Sequence, residues 1–277
     1  MKLGFIGGGN MATAIIGGML QNNFAASAID VADTQPERRT ALAQEFGVAV
    51  HEHAAEVCTA DVIVLAVKPQ QMPELLRGLP PLKPEQLVLS IAAGVRASDI
   101  SRWLDGHPTV IRSMPNTPAL VGAGISGLYA LPAVTDAQKA QANRILEAVG
   151  STVWVTQESQ IDTITAISGS GPAYVFFFIE ALEQAAIDLG LPAETARQLT
   201  LQTFAGAATL AMKDPASPAE LRARVTSKGG TTEQGIMALQ KGHVSHSIGL
   251  AARAAAKRAV EIGNLLSTTG CNNLRKN

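Results

Sequence analysis

A short strand, a run of three glycines and a helix follow one another in the first twenty residues. Residues 3–6 form a continuous apolar run, and residues 11–20 carry apolar side chains at helical spacing. The glycines lie between them, and Ala12 completes the pattern G-x-G-x-x-A. A strand that turns on glycine directly into a helix is the first unit of a parallel α/β sheet. This opening strongly restricts the folds that the chain can adopt.

The same alternation of strands and helices continues to residue 156. Residues 62–67 form a β-branched run, which is typical of a strand buried on both faces. The other predicted strands are 29–32, 48–50, 87–91, 110–111, 127–130 and 152–155, and the helices between them are 36–46, 98–104 and 135–149. This order predicts an α/β fold class, with a Rossmann-type doubly wound parallel sheet as a dinucleotide-binding domain over residues 1–156.

Helical periodicity dominates residues 157–277, which we expect to form an all-α helical bundle. Predicted helices cover residues 172–189, the stretch from Pro192 to about Met212, and residues 218–225, 232–240 and 244–266. The helix at 172–189 is apolar nearly all round, so it belongs in a core or in an interface. The sequence leaves both interpretations open: the interior of a single chain, or packing against a second subunit.

Composition excludes several classes of partner. The net charge is −1, which gives no electrostatic basis for binding nucleic acid or an anionic membrane. No stretch reaches the roughly 20 unbroken apolar residues of a membrane span, so we expect a soluble, cytoplasmic protein. His51 and His53 are close in sequence, but no carboxylate or cysteine completes a ligand set, and no metal site is expected.

The glycine-rich turn predicts a nicotinamide dinucleotide as cofactor. Gly7 allows the tight turn, Gly9 lets backbone N–H groups approach a pyrophosphate, and the helix N-terminus favours its negative charge. The predicted contacts to the pyrophosphate come from Gly7, Gly8, Gly9, Asn10 and Met11.

The choice between NAD and NADP stays open. Asp33 follows the second strand, where an acidic residue accepts the ribose hydroxyls and favours NAD. Arg38 and Arg39 follow within about a turn of helix and can instead hold the 2′-phosphate of NADP. Both arginines are equally consistent with an ordinary solvated helix surface.

Two further segments at strand ends are candidates for the cofactor site. Val67, Lys68 and Pro69 follow the fourth strand, at the edge where open sheets bind ligands, although Lys68 is as easily a plain surface lysine. Asn116 and Pro118 belong to a turn that two prolines stiffen, and such a turn can orient a nicotinamide amide.

A second anion site is predicted near residue 230. The backbone N–H groups beside Gly229 and Gly230 can form a nest at a helix start, and hydroxyls surround it. This arrangement suits a small carboxylate, and an ordinary helix-capping turn is the alternative. The candidate residues are Ser227, Gly229, Gly230, Thr231 and Thr232.

The motifs occur in the order G-x-G-N-M-A, V-K-P-Q, M-P-N-T-P, S-G-S-G-P-A-Y and V-T-S-x-G-G-T-T. From residue 3 to about residue 266, this order resembles the pyrroline-5-carboxylate reductase family of proline biosynthesis. The resemblance implies a C-terminal dimerisation domain, a homodimer that commonly assembles into a decamer, and NADPH as the usual cofactor, with NADH also accepted. It implies hydride transfer to the C=N bond of L-1-pyrroline-5-carboxylate, which gives L-proline.

The resemblance also assigns roles to residues. Lys68 and Pro69 would border the cofactor, and Asn116 would lie close to the nicotinamide. The loop 227–231 would bind the substrate carboxylate, and the hydroxyl of Thr232 would face the ring nitrogen as the catalytic group. The chain departs from the family at Lys228, where proline is usual; lysine frees one more backbone N–H and adds a positive charge beside the carboxylate site.

Three other functions share features with this one. A β-hydroxyacid dehydrogenase of the same domain plan uses a helical lysine, but no lysine occurs between Lys139 and Lys213. A related imine reductase with another substrate range remains an alternative. A non-catalytic dinucleotide sensor remains one too, although it has no need of the second anion site.

Overall fold

The computed structural model describes residues 1–272 of the chain, and in this part it contains one eight-stranded sheet. The strands are β1 (Leu3–Ile6), β2 (Ile29–Ala32), β3 (Ala49–His51), β4 (Val62–Leu65), β5 (Leu87–Ser90), β6 (Val110–Met114), β7 (Gly124–Ala130) and β8 (Gly150–Trp154). Their spatial order is β3-β2-β1-β4-β5-β6-β7-β8. The doubly wound α/β sheet predicted from the sequence is therefore confirmed.

One strand departs from the predicted parallel arrangement. β7 pairs with β6 in antiparallel register, with Met114 opposite Gly127, and β8 then pairs with β7 in parallel. The segment 115–123 between β6 and β7 is too short for the crossover that parallel neighbours need. The sheet is consequently mixed, and the expectation of a purely parallel one is wrong at this position.

Helices cover both faces of the sheet. They are α1 (Asn10–Gln21), α2 (Pro36–Phe46), α3 (Met72–Arg77), α4 (Ala97–Trp103), α5 (Asp136–Leu146) and α6 (Ser159–Ile164). The N-cap residue of α5 is Thr135, whose hydroxyl accepts the N–H of Gln138, as the N-cap prediction requires. The sequence analysis missed α3 and α6 because six residues are too few to show helical periodicity.

The continuous apolar strands are explained by two cores, one on each face of the sheet. Along β4, Val62 and Val64 contribute to one core cluster, whereas Ile63 and Leu65 contribute to the other. All four side chains are fully buried. A strand with helices on both sides must be apolar at every position, because successive side chains point to opposite faces.

By compactness the chain divides into two units. The first unit contains Met1–Ser170 and the chain from Ala254 on, and the second contains Gly171–Arg253. The division of the chain into residues 1–156 and 157–277 stays a prediction.

The second unit is helical and has almost no interior of its own. Its helices are α7 (Gly171–Asp188), α8 (Ala193–Lys213), α9 (Pro218–Arg224), α10 (Thr231–Lys241) and the first part of α11 (Val244–Asn272). α7 buries none of its residues, and the side chains of Phe176 and Phe177 are 63% and 67% exposed. The interpretation of this helix as the core of a single chain is therefore wrong.

The stretch Ser159–Asp188 within the described residues is long and apolar enough to cross a membrane, judged by length and composition alone. An 18-residue window within it has a mean hydropathy of 1.2, and 6% of that window is buried. The sequence analysis expected no such stretch, because no unbroken apolar run reaches the length of a span.

Candidate active site

A cavity of about 650 Å³ lies where the chain order of the sheet reverses, between β1 and β4. In doubly wound sheets, ligands bind at the carboxyl ends of the strands beside this reversal. Six of the predicted cofactor residues line the cavity or its mouth in this unit, namely Gly7, Gly9, Asp33, Arg38, Val67 and Lys68.

The glycine turn at the floor of this cavity is shaped for a pyrophosphate. Gly7 has φ +98°, and a Cβ atom there would lie 2.7 Å from the carbonyl oxygen of Ala66. Gly9 is the N-cap of α1, has no side chain to cap the helix, and leaves open space where a Cβ would be. Asn10 and Met11 form the first turn of α1, whose N–H groups have no intrahelical partner. The arrangement leaves room and donors for an anion at the helix start.

The carboxylate of Asp33 is engaged by protein donors. One oxygen accepts the N–H of Gly8 at 2.8 Å and the guanidinium of Arg38 at 3.1 Å, and the other accepts the N–H of Gln35 at 2.9 Å. Burial raises the pKa of this carboxyl, but the hydrogen bonds from Gln35, Gly8 and Arg38 outweigh it, so the pKa lies below the usual value. Asp33 therefore braces the glycine turn, and its charge is offset by Arg38.

The two arginines after β2 have different surroundings. Arg38 lines the cavity with its side chain 41% exposed. Arg39 donates to the carbonyl oxygen of Asp33 at 2.8 Å and approaches Glu52 at 3.6 Å. Of these two arginines, Arg38 is among the described lining residues of the cavity and Arg39 is not.

Several lining residues were not recognised from the sequence. They are Thr34, Gln35, Glu52, His53, Gln71 and Glu74. Thr34 and Gln35 follow the end of β2, so the rule that drew attention to Asp33 could also have identified them. The sequence analysis considered His53 only as a metal ligand, but this residue lines the cavity and directly precedes the 3₁₀ turn Ala54–Val57.

The segment 67–69, which follows β4, lies only partly in the cavity. Lys68 is the exposed N-cap of the 3₁₀ turn Pro69–Gln71, and Pro69 occupies the first position of that turn. Of the three predicted residues, Val67 and Lys68 line the cavity, whereas Pro69 is not among its described lining residues.

Asn116 is held by two hydrogen bonds inside its own unit. Its Nδ2 donates to the carbonyl oxygen of Ser168 at 3.1 Å, and its Oδ1 accepts the N–H of Ile125 at 2.9 Å. Ser168 belongs to a π-helical turn, Thr165–Gly169, and such turns are frequent at functional sites. Neither Asn116 nor Pro118, which lies in the 3₁₀ turn Thr117–Val121, is among the described lining residues of the cavity. Their contact with a nicotinamide stays a prediction.

The predicted carboxylate site in the helical unit is a closed turn followed by a helix. The N–H of Gly230 donates to the carbonyl oxygen of Ser227 at 3.0 Å, and Gly229 has φ +75°. Gly230 is the N-cap of α10, so Thr231 and Thr232 are the first two helical residues, and both are exposed. Their N–H groups and hydroxyls are available to an anion, because the first N–H groups of a helix lack intrahelical partners.

Other reactive groups do not form a second site in the described part of the chain. Within residues 1–272, no three His, Cys, Asp or Glu side chains are grouped as a metal site. Burial raises the pKa of the Cys58 thiol to about 11, so this thiol is protonated and unreactive at neutral pH.

Two family models and a near full-length relative match this chain. Residues 158–262 match the family model described as pyrroline-5-carboxylate reductase dimerisation, and residues 2–94 match the model described as NADP oxidoreductase, coenzyme F420-dependent. The pyrroline-5-carboxylate reductase of Pseudomonas aeruginosa is 47% identical over 267 residues, which cover 96% of this chain and 98% of that protein.

Solved structures give the same result. The structure of a pyrroline-5-carboxylate reductase from Coxiella burnetii matches with TM-score 0.88 and 42% identity, covering 94% of this chain and 98% of that one. The Plasmodium falciparum pyrroline carboxylate reductase with NADP bound matches with TM-score 0.85 and 29% identity, covering 95% and 98%.

Proposed function

Because this chain belongs to the pyrroline-5-carboxylate reductase family, we propose that it reduces L-1-pyrroline-5-carboxylate to L-proline with NADPH. The proposal rests on two structural features together with the similarity to a pyrroline-5-carboxylate reductase over 96% of this chain. These features are a cavity built on a glycine turn, and the exposed residues Thr231 and Thr232 at the start of α10, whose N–H groups lack intrahelical partners.

The chemistry requires little acid–base assistance from the protein. When bound, the dihydronicotinamide supplies a hydride to the carbon of the C=N bond, and the nitrogen, with its proton, becomes the secondary amine of proline. A protonated imine is already a strong electrophile. The protein therefore contributes mainly by holding the two rings at reacting distance.

We assign the substrate contacts to the turn before α10. The nest that receives the carboxylate is formed by Ser227, Gly229, Gly230 and Thr231. Thr232 offers its hydroxyl to the ring nitrogen.

The cofactor contacts come from the first unit. The pyrophosphate is surrounded by Gly7, Gly8, Gly9, Asn10 and Met11, and the remainder of the dinucleotide is bordered by Val67, Lys68, Pro69, Asn116 and Pro118.

NADPH is the proposed preferred cofactor, and NADH is accepted less well. The carboxylate of Asp33 is engaged by Gly8, Gln35 and Arg38, so it is poorly placed to accept ribose hydroxyls. Arg38 stands at the cavity wall and suits a 2′-phosphate. The related structure from Plasmodium falciparum was solved with NADP bound.

The test of the proposed function is a paired assay with the purified protein. We expect absorbance at the nicotinamide band to fall when pyrroline-5-carboxylate is added with NADPH, and to fall more slowly with NADH at equal concentration. Absence of turnover with both cofactors would falsify the assignment, and faster turnover with NADH would reject the cofactor preference alone.

Thr232→Val should lower kcat/KM for pyrroline-5-carboxylate about 10- to 100-fold, because a hydrogen bond to the charged ring nitrogen is worth about 1.5–3 kcal/mol. Valine keeps the shape of threonine and removes only the hydroxyl. Steady-state kinetics of this variant should be compared with Thr232→Ser, which keeps the hydroxyl and should stay within a few-fold of the parent protein. Equal kinetics of Thr232→Val and the parent would show that the hydroxyl is not at the nitrogen.

The apolar face of α7 belongs, in this proposal, to a homodimer interface formed by the helical region 157–277. The exposed Phe176 and Phe177 and the dimerisation model that matches this region support that arrangement. We further propose that dimers assemble into a decamer, which sedimentation velocity can measure, and that the protein is cytoplasmic. In this proposal a second copy, rather than lipid, covers the apolar stretch Ser159–Asp188.

A further inference from the structure

We propose that Glu233 is a positioning residue for the substrate carboxylate, acting through the turn at residues 227–230. The inference rests on the proposed function of this turn. Its basis is a hydrogen bond of 2.7 Å from the N–H of Gly229 to Oε2 of Glu233, both within the helical unit. Glu233 thus holds the loop without itself touching the substrate.

The contact differs from an ordinary helix cap. At α9, Glu220 occupies the third helical position, and its carboxylate accepts the N–H of the N-cap residue Ser217 at 2.7 Å, as a capping box requires. Glu233 occupies the same position of α10, but the N–H of its N-cap residue Gly230 is already bonded to Ser227. Glu233 therefore reaches one residue further back and binds Gly229.

The turn needs an external restraint at this residue. Gly229 and Gly230 are adjacent glycines, which lose the most conformational freedom on ordering, and Gly229 is held at φ +75°. The single hydrogen bond from Gly230 to Ser227 closes the turn but leaves the peptide between Lys228 and Gly229 free to rotate. The bond to Glu233 fixes the direction of the Gly229 N–H.

Fixing this peptide leaves the other donors free for a ligand. Glu233 occupies the Gly229 N–H only, whereas Thr231 and Thr232 are exposed and their N–H groups lack intrahelical partners. A negative charge in the first turn of α10 also suits the helix dipole. The carboxylate therefore orders the turn before substrate arrives and so lowers the entropic cost of binding.

Two conservative variants separate the hydrogen bond from the charge. Glu233→Gln keeps an acceptor oxygen at the same reach and removes the charge. Glu233→Asp keeps the charge but withdraws the carboxylate by one methylene. The matched control is Glu220→Asp, which makes the same change at the same helical position of α9, away from the nest.

We expect Glu233→Asp to raise KM for pyrroline-5-carboxylate about 5- to 10-fold, which lies within the range for losing a typical hydrogen bond. KM for NADPH should stay within about twofold, and kcat should change little, because positioning before binding affects the substrate's ground state. Glu233→Gln should remain within about threefold of the parent KM, and Glu220→Asp should leave every constant unchanged.

The outcomes discriminate between this inference and the function on which it rests. A parent protein that does not turn over pyrroline-5-carboxylate overturns both. A parent protein that turns over, with an unchanged KM in Glu233→Asp, overturns the positioning role alone. A larger rise in KM for Glu233→Gln than for Glu233→Asp would show that charge matters more than the hydrogen bond, and it would equally reject the role.

Discussion

Gly9→Ala is expected to weaken NADPH binding by about 30-fold or more while leaving the fold intact, since a clash that costs about 2 kcal/mol corresponds to that factor. A Cβ at this position meets no protein atom within 4 Å, and the backbone at φ −71° suits alanine. The added methyl group would instead occupy the space in front of the α1 N-terminus, where the pyrophosphate is proposed to bind. Fluorescence titration with NADPH measures the effect.

Gly7→Ala is the matched control for this prediction, because the same methyl group two residues earlier has the opposite consequence. Gly7 adopts φ +98°, and its Cβ would lie 2.7 Å from a backbone oxygen, so alanine strains the turn itself. We expect Gly7→Ala to lower the melting temperature, and Gly9→Ala to leave it within a degree or two. If Gly9→Ala bound NADPH as tightly as the parent, the pyrophosphate could not lie against this helix.

Arg112→Met should lower the free energy of unfolding by about 3–5 kcal/mol, the usual cost of leaving a buried charge unpaired. Arg112 lies on β6 with its side chain 2% exposed, donates to Asp162 at 2.6 Å and lies 3.4 Å from Glu158. Glu158 also accepts the N–H of Ala97 at 2.6 Å. Removing the arginine leaves two carboxylates that join the sheet to α6 and α4 without their cation. Chemical denaturation at fixed protein concentration measures the loss.

Two further variants show whether the loss has this cause. Lys139→Ala removes a cation that is 41% exposed and paired with a fully exposed Asp136, so it should cost less than about 1 kcal/mol. Adding Asp162→Leu to Arg112→Met removes one orphaned charge and should recover part of the stability. A double variant less stable than Arg112→Met would contradict the argument, because packing rather than charge would then dominate.

Regular elements of the sheet could be predicted closely from the sequence. The predicted bounds agree with the observed ones for the strands Leu3–Ile6 and Ile29–Ala32 and for the helix Pro36–Phe46. An apolar run and a proline in the first turn of a helix are both local signals in the sequence. The antiparallel direction of β7 was missed, since strand direction depends on the length of a connection and on pairing across the sheet. The π-helical turn at Thr165–Gly169 also has no recognised local signature.

The positions of the candidate site residues could be predicted from the sequence, but the contacts of their side chains could not. Position along the chain identified Asp33 and Asn116, but the direction of a side chain depends on neighbours distant in sequence. Asp33 turns toward Gly8, and Asn116 toward Ser168. The sequence analysis likewise noted Lys228 as a departure but did not recognise Glu233, whose contact depends on the shape of the glycine turn.

The absence of buried residues along α7 leads us to expect that association is part of folding itself. A helical unit that leaves Phe176 and Phe177 exposed gains little from collapsing alone, so we expect its stability to follow mass action between copies. Dilution should therefore destabilise the helices before the sheet, whose two cores are complete within a single polypeptide. In a cell that makes little of this protein, its concentration would then determine the fraction of chains in which the helical unit is folded.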